Sequence, residues 1–69
     1  MTQQSYSTLW DGYATDKDAK QARDTAYKAA RKAGKRAWRT TLSNQVRPYV
    51  TLGVPDGRSC TVYLLDVMD

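Results

Sequence analysis

Ala19, Ala22, Ala26, Ala29, Ala30, Ala33 and Ala37 recur at intervals of three and four residues. That spacing keeps side chains on one stripe of a helix turning about 100° per residue. Alanine also has the highest helix propensity, and its small side chain lets a neighbouring element come close. Thr15 stands where an N-cap is needed. Asp18 follows three residues on as a short form of the capping box, and Asp16 complements the positive end of the helix. The pattern predicts a helix over residues 15–33 with the alanines toward the core; a helix–helix seam is the alternative use of the stripe.

Gly34 interrupts this pattern, and Trp38, Leu42 and Val46 then repeat every four residues. On a straight continuation they would fall among the lysines and arginines, so a break or kink is expected at Gly34, where a C-cap glycine belongs. Residues 35–46 read as a second helix or a redirected continuation, ended by Pro48.

The last third alternates as strands do. Val54-Pro55-Asp56-Gly57-Arg58 reads as a type I turn with a G1 bulge, pairing Val54 with Arg58, Leu52 with Cys60, Val50 with Val62 and Tyr49 with Tyr63. One face of this hairpin would collect Val50, Leu52, Cys60, Val62 and Leu64, and the other Tyr49, Thr51, Thr61, Tyr63 and Leu65. At the other terminus, Tyr6, Thr8 and Trp10 alternate with Ser5, Ser7 and Leu9 before an Asp11-Gly12 turn signal. This suits a short strand or a flexible arm over residues 1–14. The fold class expected is α+β: one long kinked helix or two helices packed on a C-terminal antiparallel hairpin, with a short N-terminal strand as an option.

Sixty-nine residues allow one small domain, 1–69, in which roughly 60% of the unfolded chain's surface can be buried. With one cysteine and no histidine, an internal disulfide and a Cys/His metal site are both excluded. No metal or cofactor is expected. Glutamate is absent too, and no phosphate loop, nucleophile elbow or carboxylate cluster replaces the missing general bases, so the chain does not read as an enzyme. No apolar run approaches the roughly 20 residues of a membrane span, and no charged-then-apolar leader opens the chain, which reads as cytoplasmic.

Charge adds more. The net +4 hides an asymmetry: residues 17–47 hold ten basic side chains and two aspartates, net +8, while the rest holds Arg58 and five aspartates, net −4. Six of the eleven basic residues are arginine, suited to bidentate contacts with phosphate or carboxylate. Lys28, Arg31, Lys32, Lys35, Arg36 and Arg39 are the candidate phosphate contacts, with Arg47 and Arg58 as further contacts. Trp38, Tyr49 and Tyr63 are candidate stacking residues. The plainer account of these charges is a solvated helix face. Residues 19–67 resemble part of a winged helix: a Gly-containing turn at Ala33–Arg36, residues 35–46 as reader helix, and the hairpin as a wing tipped by Arg58. The first of the three usual helices has no counterpart.

The expected function is a non-enzymatic module that contacts a polyanion, DNA or RNA backbone, through its basic helix face. The alternative is a small bacteriophage-type regulator or inhibitor that binds an acidic surface of a host protein. A homodimer is left open.

Overall fold

The structure, a computed structural model, describes residues 1–68, with the backbone alone at Thr51 and residues 54–56. Strand β1 (Thr2–Tyr6) is followed by helix α1 (Asp16–Lys32), strand β2 (Arg36–Tyr49), a 3-10 turn (Val50–Leu52) and strand β3 (Val54–Met68). The sheet order is β1-β3-β2, with both outer strands antiparallel to β3. The last strand in sequence is thus the central one, and α1 carries the chain from one sheet edge to the other. The fold is α+β.

The helix starts and stops where its capping residues dictate. Thr15 is extended, and its Oγ1 accepts a hydrogen bond from the Asp18 N–H at 3.1 Å. At the other end Gly34 takes φ +83°, its N–H donates to the Arg31 carbonyl, and the Lys35 N–H donates to the Ala30 carbonyl. This pair of bonds is the Schellman motif, which needs a left-handed residue and so selects glycine.

Beyond Gly34 the chain is a strand, not the expected second helix. Residues four apart share a face in a strand as well as nearly so in a helix, so the Trp38–Leu42–Val46 spacing fits both. Thr40 and Thr41 tip the balance, because β-branched side chains lose freedom in a helix and fit a pleated surface. Without residues 35–46 as a helix there is no reader element, and the winged-helix likeness fails.

The hairpin is also larger than expected and turns elsewhere. β3 pairs with β2, Thr41 opposite Tyr63, Leu42 opposite Val62, Gln45 opposite Cys60 and Arg47 opposite Arg58. The turn lies at Val50–Gly53, closed by the Gly53 N–H donating to the Val50 carbonyl, with Gly53 left-handed. The expected pairings of Val54 with Arg58, Tyr49 with Tyr63, Val50 with Val62 and Leu52 with Cys60 therefore do not form: Val54 lies opposite Tyr49 instead, and Val50 and Leu52 are exposed. The expected placements of the Thr51 and Val54 side chains lie outside the described residues. Gly57 does need its positive φ, +71°, but inside an irregularity opposite Pro48 and not in the turn. A second irregularity falls between Leu42 and Gln45, where Asn44 is left-handed at φ +59°.

Burial changes phase along β3. Leu65 and Val67 are buried with Ala37 beneath Ala26, Tyr27 and Ala30 of α1, whereas Cys60 and Val62 are buried against Leu9. Side chains alternate along a strand, so the two halves of β3 bury opposite faces. The segment after β1 supplies the second cover. Ser7 Oγ accepts from the Trp10 N–H at 2.9 Å, and the Asp11 carboxylate accepts from the Ser7 N–H at 2.6 Å, which fixes Leu9 inward. Of the two options for residues 1–14, the strand is the one realised, ending at Tyr6, ahead of the Asp11-Gly12 signal.

Among the described residues one charged side chain is buried. Arg23, 5% exposed, donates from Nε to Asp24 at 3.1 Å and from Nη1 to the Thr40 carbonyl and the Thr41 hydroxyl at 3.3 and 3.1 Å. Its guanidinium lies 5.2 Å from the Tyr63 ring centre. Every donor group thus finds a carboxylate, carbonyl, hydroxyl or π-face, which is what a buried cation requires. This arginine pins α1 to the hairpin.

Candidate nucleic-acid interface

The eight candidate basic residues divide into three groups. Lys28, Arg31 and Lys32 project from the second half of α1 and are exposed. Lys35 and Arg36, also exposed, follow directly where the Schellman turn delivers the chain into β2. Arg31, Arg36, Ala37 and Trp38 line one hollow of about 280 Å³ at the β2 edge of the sheet, so helix and strand contribute to a single surface. Among the described residues no carboxylate pairs with Lys28, Arg31, Lys32 or Arg36.

Arg39 belongs to a second group. Its guanidinium packs 4.4 Å from the Tyr27 ring centre and pairs with Asp24 at 3.6 Å. Asp24 also holds Arg23 at 3.0 Å, so one carboxylate serves two arginines, one on α1 and one on β2. The candidate phosphate contact at Arg39 is thereby partly neutralised.

Arg47 and Arg58 form the third group and do not join the others. They stand opposite each other near the far end of the hairpin. Eleven residues of strand separate Arg36 from Arg47, about 35 Å at ~3.3 Å per residue, close to the molecule's 38 Å long dimension. Like charges directly across a ladder repel. Each guanidinium is drawn to a ring instead, Arg47 to Trp10 at 5.2 Å and Arg58 to Tyr49 at 5.4 Å.

Of the three candidate aromatics, Trp38 alone stands at the basic edge, 46% exposed. Tyr49 is occupied by Arg58 and Tyr63 by Arg23, both half-buried, and they are not cross-strand partners. Trp38, Leu42 and Met68 lie on the sheet face away from α1 and are exposed. Val46 is exposed too, but the irregularity at Asn44 turns it to the other face. The alternation of β2 thus places Trp38 outward while Arg39 packs under the helix.

The groups displaced from their ordinary titration ranges lie away from this edge: burial raises Tyr6, raises Asp11 against the pull of the Ser7 N–H, and raises Cys60 against the Ser7 hydroxyl. Among the described residues no three metal-ligating side chains cluster. No described helix is long and apolar enough to cross a membrane.

Sequence reasoning missed Arg23 and Asp24 as the pair that sorts the arginines. The visible signal was Asp24 beside Arg23, but its second partner, Arg39, is fifteen residues away and reachable only through the fold. No family model, no curated protein and no solved structure matches the chain.

Proposed function

We propose that the protein is a non-enzymatic polyanion-binding module whose β2 edge engages nucleic-acid backbone. The observation that carries this reading is the convergence of Arg31, Arg36 and Trp38 on one hollow, with Lys28 and Lys32 on the adjoining helix surface. Scattered cations on a strand suffice to guard a sheet edge. Lys28, Arg31 and Lys32 are not on the strand, so edge guarding does not account for them. Arginine forks suit phosphate oxygens, and an exposed indole beside them offers a stacking surface for an unpaired base. Trp38 is the stacking residue, Lys28, Arg31, Lys32 and Arg36 are the phosphate contacts, and Arg39 contributes once drawn from Asp24.

Emission from Trp38 tests this directly. In a Trp10→Phe background, which keeps an aromatic ring under Arg47, titration with single-stranded DNA at low salt should quench and shift Trp38 emission, saturably. Unchanged emission at every DNA concentration would sink the reading.

A second reading rests on a different observation. Trp38, Leu42 and Met68 expose apolar surface next to the arginines, the mixture of apolar centre and charged rim found where proteins meet. On that reading the partner is an acidic surface of a host protein. Nuclease treatment of a lysate before capture separates the two: the polyanion reading loses its ligand, and the protein reading keeps a stoichiometric partner.

A further inference from the structure

The molecule has two sheet edges, and they are built differently. β2 carries Arg36, Arg39, Arg47 and Pro48 and is interrupted at Asn44, all devices that hinder another strand from adding. β1 has none of them. Thr2-Gln3-Gln4-Ser5-Tyr6 pairs with β3 in uninterrupted register from Thr2–Val67 to Tyr6–Tyr63, and residues 1–10 contain no charged side chain in a chain that is 26% charged. Gln3 and Gln4 are exposed. One row of β1 backbone N–H and C=O groups therefore faces away from the sheet, unguarded.

We propose that β1 is a strand-pairing edge and that its partner is β1 of a second copy of this chain. Charge decides where two copies can meet. Two copies of a +4 chain repel, and the surface on which they can meet without opposing like side-chain charges is the neutral one. A two-fold axis perpendicular to the sheet makes an antiparallel pair, the commonest closed assembly. Centred on Gln4, it uses all five residues: Gln4 opposes its own copy, Gln3 opposes Ser5, and Thr2 opposes Tyr6. Each of these pairs can share hydrogen bonds, and none carries charge. The product is a continuous six-stranded sheet, β2-β3-β1 joined to its copy, with both helices on one face and both basic β2 edges outermost. The open groove beside β1, lined by Thr2 and Gln4 as well as Ala29, Ala30, Leu65 and Val67, borders the seam on the helix side of the sheet. This inference is independent of the polyanion reading, since it uses the opposite edge.

Sedimentation velocity of the full chain from micromolar to millimolar concentration is the test. The expected result is a concentration-dependent rise to twice the 7.8 kDa of one chain. Gln4→Lys sets like charge on like charge at the axis and should raise the dissociation constant about fivefold or more with an unchanged circular-dichroism spectrum. Trp38→Lys, on the uncovered sheet face, should leave it unchanged. A parent chain that stays monomeric throughout overturns the proposal. So does a dimer indifferent to Gln4→Lys, whether or not Trp38→Lys dissociates it.

Discussion

The two edges of the sheet sit on the same central strand, yet one is neutral and the other basic. β1 spans five residues without a charge, while β2 spans fourteen and carries three arginines and a proline. The helix is not placed evenly between them. Asp24 and Arg23 tie α1 to β2 through Arg39, Thr40 and Thr41, whereas on the β1 side an open groove of about 390 Å³ separates the alanine stripe from Thr2 and Gln4. The basic half of α1 is thereby brought to the basic edge. The difference teaches that the position of the helix, fixed by one buried arginine, turns dispersed cations into a surface.

Removing that arginine should break the comparison most severely. Arg23→Ala leaves the Thr41 hydroxyl and the Thr40 carbonyl without their donor and cuts Asp24 back to one cation, an expected loss of about 3–5 kcal/mol. Chemical denaturation measures it; a loss below about 1 kcal/mol would show that α1 is held to β2 by something else.

Gly57→Val comes next. A Cβ at Gly57 meets the Arg47 carbonyl oxygen and stands 2.7 Å from the Arg47 carbonyl carbon, and φ is +71°. Strain and overpacking together should cost roughly 2–4 kcal/mol. Gly53→Ala has the same sign of φ, +66°, and open space around it, so about 1–2 kcal/mol is expected. Equal melting temperatures for the two variants would contradict the close approach of β3 to β2.

These positions also show what the residues alone made legible. Thr15, Asp18 and Gly34 announced the helix ends because capping is local chemistry, and the positive φ of Gly57 was readable for the same reason. β2 was not readable as a strand, because Trp38, Leu42 and Val46 satisfy both periods. The turn at Val50–Gly53 carries no Asn, Asp or Pro, so the stronger local signal at Pro55–Gly57 drew the hairpin to the wrong place. Charge density singles out Lys28, Arg31, Lys32, Lys35 and Arg36 as candidates, and all five are exposed. The diversion of Arg39 to Asp24, Arg47 to Trp10 and Arg58 to Tyr49 depends on contacts between elements.

A smaller effect sharpens the contrast between edges. Asp24→Asn should release Arg39, raise the positive charge of the β2 edge, and tighten polyanion binding while lowering stability by about 1 kcal/mol. Weaker binding by a folded Asp24→Asn variant would mean that Arg39 does not face the ligand.

The smallest effect concerns pH. Burial raises Cys60 and Tyr6 above their ordinary ranges, so the unfolded chain loses these protons first. Their contribution to stability is complete below about pH 8.5 and is lost as pH rises through the folded-state values. Melting temperature should therefore decline in the alkaline range, and Cys60→Ser should reduce the part of that decline nearest pH 9.

The central claim, that the β2 edge tracks a phosphate backbone, is tested most directly by the salt dependence of binding to duplexes of unrelated sequence. Substituting Lys28, Arg31, Lys32 and Arg36 by Gln removes four contacts on exposed positions and retains helix propensity in α1. The slope of log affinity against log salt should fall by about 3.6, at ~0.9 per phosphate. That slope alone is worth roughly a hundredfold between 50 and 200 mM salt. A folded quadruple variant with the parent's slope and affinity would contradict the account, as would a parent that binds no duplex or single strand at low salt.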